Sequence, residues 1–218
     1  ANKLWNSTRF VLDYALKNEP APAGGYALAK LDRAKLSLAD RWILARFEAV
    51  GAEAEARMAE LNVAAAADAL YGFLWDDFCD WYVELAKAEL ADPARAEAAK
   101  TILVQVLAGT LKLLHPFMPF VTEELWQALK AYAGETADFA FRAGAPTPHG
   151  WADPKAVAEM SFLMSAVGAL RALRAQLNVP PGVKLKAYYA GEGGDAAVLA
   201  AGTGTLLQLA RLESLERA

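Results

Sequence analysis

The side chains with chemical potential cluster first in the stretch Trp75-Asp-Asp-Phe-Cys-Asp-Trp-Tyr82 and in Glu84 just after it. Asp76 and Asp80 stand four residues apart, one turn of a helix, so they share a face. Paired carboxylates can hold a divalent metal or work as an acid–base couple. A helical di-metal site, however, draws carboxylates from several helices and adds a Glu-x-x-His motif, which this sequence lacks. Asp76, Asp77, Asp80 and Glu84 therefore read as a solvated or salt-bridged face. His115 and His149 are the only histidines. His115 falls in the last turn of a predicted helix, where a cation is favoured and the final carbonyls want donors. His149 falls in a linker, and neither has a Cys, Ser or Asp partner at a catalytic spacing. Cys79, near Phe78 and Trp81, reads as a small buried hydrophobe. Ser7, Ser37 and Ser161 sit in helical or capping contexts, with no Gly-x-Ser-x-Gly elbow, no phosphate-binding Walker loop and no Rossmann glycine fingerprint. No catalytic residue, no metal site and no bound cofactor is expected in this stretch of chain.

Binding chemistry remains. Asn2, Asn6, Arg9, Phe10 and Asp13 recur at i, i+4, i+7, i+8 and i+11, so they share one face of a helix. An aromatic beside Arg and Asn is what recognition of single-stranded RNA uses, with a ring for stacking and planar polar groups for base edges. The plain alternative packs Phe10 inward and pairs Arg9 with Asp13 at i+4. Lys30, Arg33 and Lys35 follow in a loop, where their charge suits phosphate.

The elements that must position these residues are helical. Residues 2–17 form a first helix with Leu4, Trp5, Thr8, Val11, Leu12, Ala15 and Leu16 inward. Ser37, with Asp40 three residues on, caps a second helix, and Asn62 caps a third. In the third, Leu70, Leu74, Phe78, Trp81 and Leu85 form one apolar stripe, and Tyr71, Trp75, Phe78 and Tyr82 form another. So wide an arc needs neighbours on two sides. Asp92-Pro93 opens a fourth helix, which ends at Leu113-Leu-His-Pro-Phe-Met-Pro-Phe-Val-Thr-Glu-Glu-Leu-Trp126. There Pro116 stops one helix and Pro119 starts the fifth. Phe117, Met118, Phe120 and Val121 make this corner apolar, and other helices are expected to close over it. Gly134, Gly144, Pro146, Pro148 and Gly150 mark residues 134–152 as a linker. Asp153-Pro154 begins a sixth helix with Val157, Met160, Met164, Val167, Leu170 and Leu177 inward and Arg171 and Arg174 elsewhere, stopped by Asn178-Val-Pro-Pro-Gly182. Val183, Leu185, Ala187 and Tyr189 alternate with Lys184, Lys186 and Tyr188 as in a half-buried strand. A lone strand is unstable, and Leu212 to Leu215 is the partner at hand. Asp195 caps a last helix. The expected fold is mostly α, with residues 1–133 an antiparallel helical bundle and 153–218 a small α+β segment.

Composition agrees. Of 218 residues, 56% are hydrophobic and six are Trp, enough to bury a core. The net charge of −4 argues against coating nucleic acid through bulk charge, though not against a local basic surface. One cysteine cannot form an internal disulfide and suits a reducing compartment. No run of 18 apolar residues and no signal-peptide pattern occurs, so no membrane partner is expected. The first residues enter a helical pattern without a Met, and the chain reads as a piece of something longer.

Asn2-Lys-Leu-Trp-Asn-Ser-Thr-Arg-Phe10, Trp75-Asp-Asp-Phe-Cys-Asp-Trp-Tyr82 and the 113–126 corner together resemble the anticodon-binding domain of class I aminoacyl-tRNA synthetases. The corner is shared with isoleucyl and leucyl relatives. Asn-Lys-Leu-Trp-Asn with Phe-Cys-Asp-Trp-Tyr resembles the valyl enzymes more specifically, as does Leu173-Arg-Ala-Gln-Leu-Asn-Val-Pro-Pro-Gly182. The resemblance covers nearly the whole chain. It implies a cytoplasmic parent that joins valine to its tRNA with ATP and Mg, through a valyl-adenylate, and that edits mischarged threonine in a separate domain. The class I signatures His-Ile-Gly-His and Lys-Met-Ser-Lys-Ser are absent here, so this piece would position tRNA rather than catalyse. Its implied partners are the anticodon stem-loop of tRNA(Val) and the catalytic domain of the same chain, and it is expected to be monomeric. Carried over by position, the resemblance points to Asn2, Lys3, Asn6, Arg9 and Phe10 as tRNA-facing. A phosphate role for Lys30, Arg33 and Lys35 rests on charge alone. The alternatives are a non-enzymatic helical scaffold that binds proteins, or the equivalent domain of an isoleucyl or leucyl enzyme.

Overall fold

The computed structural model describes residues 2–180 and 182–218. Ala1 and Pro181, the latter part of the Pro-Pro helix stop, lie outside the described residues. The chain divides into two compact units, residues 1–153 and 154–218.

In the first unit, α1 (Asn2–Arg9) runs directly into a π-helical segment, Phe10–Ala15. It ends where Lys17 and Asn18 both take left-handed backbone angles, earlier than the expected 2–17. A loop with two 3-10 turns, Leu28–Lys30 and Arg33–Lys35, leads to α2 (Leu38–Ala59). Ser37 and Asp40 close the expected capping box, each accepting a 3.0 Å bond from the other's backbone. Asn62 caps α3 (Val63–Gly72) through the Ala65 amide. That helix continues without a break as a π segment (Phe73–Tyr82) and α4 (Val83–Ala91). After a turn at 92–95 come α5 (Ala96–Leu114) and then α6 (Pro119–Leu129), with Pro119 at its first position. Contacts from Lys3 to Asp80 and from Phe10 to Lys87 show α1 lying beside α3–α4 and pointing the same way.

The π segment explains one departure from the expected core. In α-helical phase Trp81 would follow Phe78 on the buried stripe. With i→i+5 bonding the turn widens, and the buried sequence becomes Leu70, Leu74, Phe78, Tyr82, Ala86. Trp81 is half-buried. Tyr82 is fully buried, and its hydroxyl donates to Asp40 at 2.9 Å. On α1, Trp5 points outward at 44% exposure, and Ser7 takes a buried place instead.

The proline corner also differs from expectation. α6 packs Thr122, Leu125, Trp126 and Leu129 inward, spaced three and four apart, so its first turn carries Phe120 on the outer side. Phe120 is 91% exposed, and Phe117 and Met118 are half-buried. A 3-10 turn, Ala140–Arg142, covers part of this corner, where Phe141 stacks on His115 with centroids 6.5 Å apart. His115 Nδ1 also meets Thr122 Oγ1 at 2.9 Å across it.

Residues 134–152, read from sequence as a linker, form with Asp153 a strap held on the bundle. At its start Gly134 meets the 18–35 loop at Gly25, whose φ of +67° and backbone contact leave no room for a Cβ. Glu123 then accepts from the Ala140 amide, and Glu48 accepts from the amides of both His149 and Trp151. Arg41 pairs with Asp153 at 2.8 Å.

In the second unit, α7 (Pro154–Gln176) precedes β1 (Leu185–Tyr189), α8 (Gly194–Ala201), α9 (Thr203–Leu209) and β2 (Leu212–Arg217). The strand at 185–189 finds the partner expected for it. The two strands pair in parallel, Leu185 opposite Leu212, with an irregularity before Lys186. The buried stripe of α7 is Ala156, Met160, Leu163, Val167 and Arg174; Met160 and Val167 are as expected, while Ala156 and Leu163 take the places expected of Val157 and Met164. Leu177 is 63% exposed, whereas Arg174 is buried. By length and composition α7 could cross a membrane. Its buried residues pack on α8 and α9 within the unit, and most of its remaining surface is exposed.

Candidate nucleic-acid interface

The face of α1 selected from sequence spacing is open. Asn2, Asn6, Arg9 and Asp13 are exposed and Phe10 is half-buried. Phe10 is neither core nor free. Its ring stacks on Tyr14, with centroids 5.0 Å apart and planes inclined by 22°. The Lys87 ammonium, from α4, lies 5.7 Å from the Phe10 centroid. Tyr14 is 54% exposed, so the pair presents aromatic surface to solvent with a cation alongside.

Tyr14 and Lys87 were not anticipated. Tyr14 stands four residues after Phe10, a signal open to sequence reading. Lys87 comes from another helix, more than 70 residues away, and no local pattern marks it.

Arg9 makes the contact expected of the plain alternative, Nε to Asp13 Oδ2 at 3.4 Å. Both side chains are at least half exposed. Such a surface pair is worth about 0–1 kcal/mol, so a phosphate or base could displace Asp13 at little cost. Asp13 also receives the Asn18 amide at 3.2 Å.

The other basic candidates divide. Lys3 is engaged within the fold: its ammonium lies 2.5 Å from Asp80, 3.1 Å from the Trp75 carbonyl and 3.9 Å from the Trp75 ring centre. Its role in this geometry is to tie α1 to the π segment. Arg33 donates to the His149 and Gly150 carbonyls at 2.6 and 2.9 Å and lies over the Trp151 ring at 4.0 Å. It fastens the end of the strap. Lys35 pairs loosely with Asp32 at 3.3 Å, and Lys30 is exposed. Arg33→Ala should therefore speed amide exchange at 149–151 and cost about 1–2 kcal/mol of stability. Hydrogen-exchange mass spectrometry with a urea melt checks both. Unchanged exchange at 149–151 would show that Arg33 does not hold the strap.

The acidic cluster is dispersed. Asp80 meets Lys3, and Asp77 pairs with Arg46 at 2.8 Å. Burial pushes the Asp77 carboxyl up, against the pull of Arg46. Among the described residues no group of three or more His, Cys, Asp or Glu could hold a metal. Burial also raises the Cys79 thiol, which keeps it protonated and unreactive.

The first helix of this bundle thus carries an open face with exposed aromatic and basic side chains. Residues 40–189 match the family model described as the anticodon-binding domain of tRNA ligase, and the chain belongs to that family. Its curated relatives include the valine--tRNA ligase of Carboxydothermus hydrogenoformans, 46% identical over 185 residues, which are 83% of this chain and 20% of the relative. The valine--tRNA ligase of Thermosynechococcus vestitus is 40% identical over 99% of this chain and 23% of its own length. That of Syntrophotalea carbinolica is 39% identical over 98% of this chain and 23% of its own length. The chain thus spans about a fifth to a quarter of the relatives it matches.

Proposed function

We propose that this chain is the tRNA-holding part of a valine--tRNA ligase and grips the anticodon stem-loop of tRNA(Val). The observation that carries this reading is the Phe10–Tyr14 stack with Arg9 and Asn6 on the same helix and Lys87 beside it, just ahead of the region, residues 40–189, that matches the anticodon-binding family. Unstacked anticodon bases can continue the aromatic stack. The Arg9 guanidinium offers planar, charged donors to a base edge or a phosphate. Asn6 offers one donor–acceptor amide. Lys30 and Lys35 lie on a loop whose charge suits the phosphate backbone.

Aminoacylation would take place elsewhere in the ligase. The sequence here has no phosphate-binding loop and neither class I signature, so ATP and Mg would be held by other parts of the enzyme. Positioning is what this domain contributes. With the anticodon end held, the acceptor end can reach a distant active site without a further loss of rotational freedom.

Filter binding of the pure chain to tRNA(Val), to tRNA(Val) with a substituted anticodon and to tRNA(Ile) tests the proposal. Tightest binding to intact tRNA(Val), weakening as salt rises, is the expected result. Equal binding of all three tRNAs would remove the anticodon from the reading. Preference for tRNA(Ile) would move the chain to the isoleucyl branch.

A further inference from the structure

Between the start of α2 and the end of α4, two carboxylates are buried around a single guanidinium. Asp40, at the start of α2, is fully buried. Its Oδ1 accepts from the Tyr82 hydroxyl at 2.9 Å, and its Oδ2 accepts from the Ser37 amide at 3.0 Å and from Arg95 at 3.3 Å. Glu89, in the last turns of α4, has a side chain only 14% exposed. Its Oε1 accepts from that same Arg95 nitrogen at 3.3 Å, and its Oε2 is buried with no donor. The groups that face Glu89 are Ser37 and Asp40 from α2, Tyr82 from the π segment and Arg95 from the turn before α5. With both acids ionised the cluster carries an uncompensated negative charge and an orphaned acceptor, both costly away from water.

We propose that Asp40 and Glu89 share one proton at neutral pH, and that this proton is a pH-sensitive latch holding the end of α4 and the α4–α5 turn against the start of α2. The proton sits on Glu89. Asp40 has three donors that stabilise its anion, whereas Glu89 has only the Arg95 nitrogen it shares and the nearby Ser37 hydroxyl. Protonation makes Glu89 Oε2 a hydroxyl that can donate to the Asp40 carboxylate. One step then relieves the orphaned oxygen and the surplus charge. Burial, followed by the charge of Asp40, pushes the Glu89 carboxyl up to about 7, against the pull of Ser37 and Arg95. Tyr82 stays a neutral donor, because burial and the Asp40 charge drive its hydroxyl well above the ordinary range.

The sign follows from linkage. A carboxyl raised on folding stabilises the fold fully below its unfolded value, and the stabilisation is lost as pH rises through about 7. Thermal melts of the 218-residue chain from about pH 5 to about pH 8.5 test this, comparing wild type with Glu89→Gln. The carboxamide mimics the protonated acid and cannot titrate. Wild type should lose roughly 5–10 °C of Tm across this range relative to Glu89→Gln, which should be the more stable protein at the alkaline end. All other side chains are common to both proteins and cancel in the comparison. Infrared difference spectra provide a readout that does not depend on melting. A protonated-carboxyl band should persist in wild type at about pH 6 and be missing from Glu89→Gln. Parallel melting curves for the two proteins, or no such band in wild type, would overturn the proposal.

Discussion

Replacing Arg174 by methionine should unfold the second unit and leave the first intact. Arg174 continues the buried stripe of α7, where a leucine would ordinarily stand. Its guanidinium donates to the Val183 carbonyl at 2.7 Å, to Pro180 at 3.2 Å and to Arg211 at 3.4 Å. One side chain thus ties α7 to the entry of β1 and to the residue before β2. Methionine keeps much of the apolar stem but removes three hydrogen bonds from a charged donor to carbonyls on exposed residues, each worth about 1.5 kcal/mol, the low end for a charged group. A total on the order of 3–5 kcal/mol is comparable with the whole stability of so small a unit. Arg174→Lys should rescue only part of the loss, because one ammonium cannot span three carbonyls. Hydrogen exchange read separately over 2–153 and 185–217 checks this. Full protection of both strands in Arg174→Met would refute the role. Arg171, which donates to the Leu209 carbonyl from an exposed position, should tolerate substitution far better.

The second large effect concerns RNA affinity. Phe10→Ala removes one ring of the stack and leaves Tyr14 without its partner. A base stacked on an aromatic side chain is worth about 1–3 kcal/mol by alanine substitution, so tRNA affinity should fall about 5- to 150-fold. Phe10 is only half-buried, so the melting temperature should move little. Arg9→Ala should weaken binding as well. If Arg9 meets only phosphate, all tRNAs lose equally and the salt slope falls by about one; if it reads a base, discrimination at the anticodon falls. Lys3→Ala should act differently. Its ammonium is bound to Asp80 and Trp75, so its loss should lower stability rather than affinity. Isothermal titration and melting curves on the same preparations separate the two outcomes.

Local signals carried through to the structure. The Ser37/Asp40 capping box, the Asn62 cap, Pro119 at a helix start and the alternating strand at 185–189 each depend on a few adjacent residues, and the fold leaves them in place. The exposed Asn2/Asn6/Arg9 face depends only on helical period within one short element. Features set by longer-range geometry did not show in the sequence. The π segment moves the buried aromatic from Trp81 to Tyr82, and nothing in the composition of 73–82 marks that change of pitch. Arg174 reads as a surface residue because its three carbonyl partners lie in loops beyond α7. Residues 134–152 read as a linker because their glycines and prolines resemble those of any loop; what fixes them is Glu123 on α6 and, from far back in the chain, Glu48 and Arg33. Phe120 reads as core because its neighbours are apolar, yet the phase of α6 turns it outward. The candidate site follows the same division. Arg9 and Phe10 stand out from spacing, whereas Lys87 enters only when α4 is laid beside α1.

The central claim is that the Phe10–Tyr14 end of the first helix holds the anticodon loop. Titrating an isolated tRNA(Val) anticodon stem-loop into isotopically labelled chain, and following backbone and side-chain resonances, tests it most directly. The largest shifts should fall on Asn6, Arg9, Phe10, Tyr14 and Lys87, with smaller ones on Lys30 and Lys35, and a stem-loop with a substituted anticodon should produce weaker shifts at the same positions. Shifts confined to the exposed Phe120 corner or to residues 154–218, with the first helix unmoved, would contradict it.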